Sequence, residues 1–191
     1  MAEGDGTEGG SRRFPAGAGS GRLTGVTTLA VTGHMDLTRA SVPLVRTALD
    51  DLLASHASES LTGVSCLARG ADSVFAEAIL AAGGRLVAVI PSRDYREMKV
   101  KPDRAALFDR LAAAAAEVLV LEYTTAGREA YEAANQVLIA KADRLVAVWD
   151  HTPPSGNGGT ADTADTADTV AMARDAGVPV DVVWPDGATR G

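Results

Sequence analysis

Apolar residues along the chain gather in short blocks: TTLAVTG, TGVSCLA, RLVAVIP, EVLVLE, RLVAVWD and PVDVVWP. None alternates apolar with polar. Each is apolar nearly throughout, the pattern of a strand covered on both faces. Between the blocks, apolar positions recur at helical spacing. Val45, Ala48, Leu49, Leu52 and Leu53 form one stripe, and Val74, Phe75, Ala78 and Ile79 a second. Leu107, Phe108 and Leu111 form a third, and Tyr131, Ala134, Val137 and Leu138 a fourth. Pro43 lies near the start of its helix, where a missing N–H is harmless. Gly83-Gly84 closes the second helix. Strand and helix alternate, so the predicted fold class is α/β. The pattern predicts a Rossmann-like three-layer sandwich whose parallel sheet has about six strands.

In an open parallel sheet, ligands bind beyond the carboxyl ends of the strands, near the point where strand order reverses. The segments that follow the strands are therefore the candidate site. After the first comes VTGHMD. Gly33 allows close backbone approach, and His34 either bonds a ligand or is satisfied by neighbouring backbone. After the second comes CLARGADSVFAEAIL. Gly70 opens a helix, Asp72 either caps it or holds a ribose hydroxyl, and Arg69 either meets phosphate or lies on the surface. The next connection, IPSRDYREMKVKPD, is polar and carries both charges; it either closes over a ligand or is an ordinary surface loop. In EYTTAGREAYEAANQ, Asn135 sits mid-helix, where its poor propensity suggests an amide turned to the cleft. After the fifth strand comes WDHTPPSGNGGTADT. Asp150 ends the strand, Gly158 and Gly159 form a turn, and Thr160 is a natural N-cap. That turn offers bare N–H groups and a helix dipole to an anion. No lysine follows the glycines, so it is not a Walker loop.

Composition narrows the partners. The formal charge is −7, which disfavours non-specific binding to nucleic acid or an anionic membrane. No apolar run reaches membrane-spanning length. The single cysteine, Cys66, excludes an internal disulfide and fits a reducing, cytoplasmic setting. Residues 1–24 are glycine-rich without an apolar block and are predicted as a disordered tail, leaving 25–191 as the domain. The apolar helix faces are also compatible with a homo-oligomer.

The triplet Ala-Asp-Thr is written three times between Ala161 and Thr169. Asp162, Asp165 and Asp168 share roughly one helical face, but no histidine or glutamate joins them, so no metal site is predicted. A tandem duplication explains the row. Removing two units is expected to leave folding intact.

The stretches SCLARGADSVFAEAIL and EAANQVLIAKADRLVAVWDHTPPSGNGGTADT, with VTGH before them, resemble the SLOG superfamily, named for the Smf/DprA DNA-processing proteins and the LOG phosphoribohydrolases. The resemblance covers roughly residues 26–185. It implies a Rossmann-like fold with a nucleotide-derived, phosphorylated ligand bound over Gly33, Gly70 and the Gly158-Gly159-Thr160 turn. It departs from the LOG motif PGGxGTxxE, because the residue that would be the catalytic glutamate is Thr163, with Asp162 one place early. The Arg-Lys pair of the preceding helix is also missing. The expected function is thus binding or sensing of a small phosphorylated ligand, with a LOG-type nucleotide hydrolase as the alternative. For hydrolysis, Asp162, Asp94, Glu132 and His34 are the available acids and bases, and they form no recognisable catalytic set. A molybdenum-cofactor carrier and a DNA-processing factor are weaker analogies.

Overall fold

The structure is a computed structural model of the chain and describes residues 25–56, 60–152 and 166–191. The predicted tail, the Gly158-Gly159-Thr160 turn, and Asp162 and Asp165 lie outside the described residues.

All the predicted strands form: β1 (Val26–Gly33), β2 (Ser60–Ser65), β3 (Arg85–Ile90), β4 (Glu117–Val120), β5 (Arg144–Val148) and β6 (Val180–Val183). They make one 6-stranded sheet in the order β4-β3-β2-β1-β5-β6. Every neighbouring pair is parallel. The helices between them are α1 (Ser41–Ala54), α2 (Ala71–Ala81), the short α3 (Tyr95–Met98), α4 (Pro102–Ala114), α5 (Arg128–Lys141) and α6 (Thr166–Asp175).

Successive residues of a strand face opposite layers. Leu29 and Val31 of β1 pack with Val45 and Leu49 of α1 and with Phe75 and Ile79 of α2. Ala30, between them, packs with Ala134 and Leu138 of α5 and with Val170 and Ala173 of α6. A further cluster joins Leu86, Ala88 and Ile90 of β3 to Phe108 and Leu111 of α4. Sheet and helices therefore form the predicted three-layer α/β sandwich.

Two strands depart from the buried pattern. In β4, Val118 and Val120 are 44% and 52% exposed. In β6, only Val183 is buried. Both strands are sheet edges. An edge strand has a neighbour on one side only, so an apolar run does not guarantee cover.

From β1 to β4 the chain steps outward in one direction. It then crosses back through α5 and lays β5 on the far side of β1. The reversal lies between the carboxyl ends of β1 and β5, where Thr32 pairs with Ala147 and Gly33 with Val148.

Candidate functional site at the carboxyl edge of the sheet

The loops leaving β1 and β2 meet at this reversal. His34 donates its N–H to the Val148 carbonyl at 3.1 Å, and Ala71 donates to the His34 carbonyl at 3.1 Å. The contact depends on glycine. A Cβ on Gly33 would lie 2.6 Å from the Val148 carbonyl oxygen and 2.7 Å from the Ala71 Cβ. Gly70 has φ +78° and would place a Cβ 2.4 Å from the His34 carbonyl oxygen. Both glycines let protein backbone approach protein backbone at the mouth of the sheet.

His34 is 4% exposed. Its Nε2 lies 2.7 Å from Asp150 Oδ1, and Arg190 Nη1 lies 3.3 Å from its Nδ1. A guanidinium only donates, so Nδ1 accepts from Arg190, while Nε2 faces both the Asp150 carboxylate and the Asp150 N–H, which points at it from 3.2 Å. Trp184 meets the ring edge-on at 5.5 Å. Burial works against the Asp150 carboxylate, but hydrogen bonds from the Thr152 hydroxyl and amide and from His34 outweigh it and bring its pKa down to about 2. Arg190 adds an ion pair at 3.0 Å to the other carboxylate oxygen. Both ring nitrogens of His34 are thus engaged, and the pair resembles a clamp more than a free acid and base.

Arg190 reaches this point because the segment after β6 folds back over the β1 exit. Thr38 donates to the Thr189 carbonyl and Gly191 to the Asp36 carbonyl, giving an antiparallel bridge between Leu37 and Arg190. Ser41 Oγ donates to the Thr189 carbonyl at 2.9 Å. Nothing in local sequence signals this strap, because its partners lie about 150 residues earlier.

Asp72 neither caps α2, whose N-cap is Gly70, nor faces an open cleft. It is buried and turns back onto the β2 exit. Its Oδ2 accepts from Cys66 N at 3.0 Å and from Ser65 Oγ at 3.2 Å. Burial raises its pKa to about 6 against the lowering effect of those bonds. Asn135 donates to Thr169 Oγ1 at 2.9 Å and so ties α5 to α6. Among the other acids weighed for hydrolysis, Asp94 Oδ1 accepts from Ser92 Oγ and from Ala126 N. Glu132 pairs with Arg128 on the surface of α5.

Two hollows open at the same edge, on the β1–β2–β3 side of the reversal. The smaller, about 190 Å³, has Arg69, Lys99, Lys101 and Arg104 on its walls with Tyr95 and Phe108. The larger, about 620 Å³, shares Met35, Arg69 and Arg104 with it and runs past Thr38, Gly70 and Ser73. Arg69 is held by its Nε bond to the Met35 carbonyl at 2.8 Å. The sequence marks out Arg69 and the polar connection, but not Lys99 and Lys101 within that connection or Arg104 just after it. Their charge was visible; their meeting with Arg69 depends on the fold.

No family model matches the chain, and no curated protein matches it. Solved structures do. DNA processing protein A from Streptococcus pneumoniae aligns with TM-score 0.59 at 19% identity, over 85% of this chain and 52% of that one. DNA processing protein A from Helicobacter pylori, described with a single-stranded DNA binding mode, aligns with TM-score 0.58 at 17% identity, over 86% of this chain and 68% of that one. TM1055, a structural-genomics target, aligns with TM-score 0.51 at 16% identity, over 81% of this chain and 72% of that one. The chain spans about half the length of the first of these proteins. At such identities the likeness is one of fold alone: this chain shares a Rossmann-like α/β fold with these proteins.

Proposed function

We propose that the protein binds a phosphorylated, nucleotide-derived small molecule at the carboxyl edge of its sheet and does not turn it over. The observation that carries this reading is the meeting of the β1, β2 and β5 exits, with Gly33, His34, Gly70 and Asp150, at the reversal of strand order. Ligands of open parallel sheets sit at that point. A binder needs only shaped backbone and complementary charge there. A hydrolase needs an acid or base free to reach the scissile bond, and the described candidates are bonded to other protein groups. Two of the similar folds carry DNA-processing names. The net charge of −7 opposes the phosphate-neutralising groove that single-stranded DNA requires.

The test is a panel of AMP, GMP, IMP and ribose 5-phosphate, read by thermal shift and by chromatography for released base. The expected result is a Tm that climbs with the concentration of at least one compound, as mass action requires, with no free base. No shift with any of them would refute binding. Release of free base would instead make the protein a phosphoribohydrolase.

A further inference from the structure

Within this acidic chain, the smaller hollow is walled by a group of cations. None of the ion pairs among the described residues involves Arg69, Lys99, Lys101 or Arg104. They come from distant parts of the chain: Arg69 from the β2 exit, Lys99 and Lys101 from the segment joining α3 to α4, and Arg104 from the first turn of α4.

The placement of two of them runs against helix electrostatics. Lys101 is the N-cap of α4 and makes no side-chain cap bond, and Arg104 lies in the first turn. The amino end of a helix carries partial positive charge, so cations there are disfavoured. Asp103, in the same turn, is exposed. Arg104 is half-buried and donates to Ser73 Oγ at 2.6 Å, and it lines both hollows, with Ser73 on the larger. Burial and the neighbouring Arg69 guanidinium lower its pKa, with Asp103 and Glu77 acting the other way. Glu77 is already bound by Arg110. An anion in the hollow would satisfy the helix end and the side chains together.

Size narrows the anion. A cavity of about 190 Å³ is smaller than the ~300–1,000 Å³ of typical drug-sized sites. It suits one phosphoryl group and little more. The larger hollow, which shares Met35, Arg69 and Arg104 with it, has room for the remainder of an esterified molecule.

We propose that Lys99, Lys101, Arg104 and Arg69 grip the phosphoryl group of a small monophosphate ester, whose organic part lies in the adjoining hollow beside Thr38 and Gly70. The inference rests on the ligand reading above and sharpens it: the phosphate sits on the α3–α4 side, not on the His34–Asp150 clamp. No bond is made or broken in this step.

The test is calorimetric titration of the full chain with ribose 5-phosphate, ribose, inorganic phosphate, AMP and an oligothymidylate. The variants are Lys99→Ala with Lys101→Ala, Lys99→Gln with Lys101→Gln, and Asp150→Asn. Both lysines are exposed, so circular dichroism of the lysine variants should match wild type. Ribose 5-phosphate should bind, ribose should not, and either lysine pair should weaken binding about tenfold or more. Rising salt should weaken the wild type more steeply than the variants. Wild-type binding that survives both lysine pairs but is lost in Asp150→Asn would overturn this inference while leaving the ligand reading intact. Failure of ribose 5-phosphate and inorganic phosphate to bind the wild type, with AMP binding and indifferent to the lysines, would do the same. Failure of all three to bind would remove the ligand reading itself. Tighter, lysine-dependent binding of an oligothymidylate than of AMP would overturn the proposal in favour of a nucleic-acid surface.

Discussion

Gly33 and Gly70 were legible in the sequence as places of close approach, but not what approaches them. At Gly70 the neighbours are the His34 carbonyl and Met35 Cα, and φ is +78°. Gly70→Ala should therefore destabilise by at least about 2 kcal/mol, measured by urea unfolding, because it adds both backbone strain and a backbone clash. A neutral result would mean that the turn is free to rearrange. Asp72 was open between a helix cap and a ribose contact. Its bonds to Ser65 and Cys66 give it a third role, holding the β2 exit against α2. Burial raises its pKa to about 6, above the ~3.9 of an unfolded chain. The native state thus binds the proton more tightly, so this contribution to stability grows as pH falls through 6 and is lost as pH rises. Between pH 7 and pH 5 it should add about 1 kcal/mol, and Asp72→Asn should abolish that increment. Urea midpoints of both proteins at the two pH values check the sign.

Among the elements, strands and helices were legible because hydrophobic period is a local property. Edge position is not. EVLV and RLVAV look alike in sequence, yet β4 is an edge and β5 lies inside the sheet. Val118→Lys should change stability by less than about 0.5 kcal/mol, whereas Val89→Lys, in a fully buried position of β3, should abolish folding. The strap after β6 was equally invisible. Its Arg190 closes on Asp150, Thr152 and His34. Arg190→Ala leaves the part-buried Asp150 carboxylate short of a partner. It should cost about 1–3 kcal/mol and alter the fluorescence of Trp184, which lies against His34. An unchanged unfolding midpoint and spectrum would show that the strap is not anchored there.

For the whole molecule, the alternation of strand and helix predicted the architecture, and the architecture predicted the edge at which to search. Strand order stayed hidden, because pairing joins residues far apart in the chain: β1 pairs with β5 across more than a hundred residues. The cationic hollow stayed hidden for the same reason, since Arg69 and Arg104 face each other only after β2, α2, β3 and α4 are assembled. An overall charge of −7 concealed a local excess of the opposite sign. Hydrogen exchange of the full chain with and without AMP tests the central claim most directly. Ligand at the carboxyl edge should slow exchange in the β1 exit (33–36), the β2 exit (67–73) and the α3–α4 segment (95–105), and leave the opposite edge, around 60–62 and 81–85, unchanged. Protection confined to that opposite edge, or none at saturating AMP and ribose 5-phosphate, would contradict it.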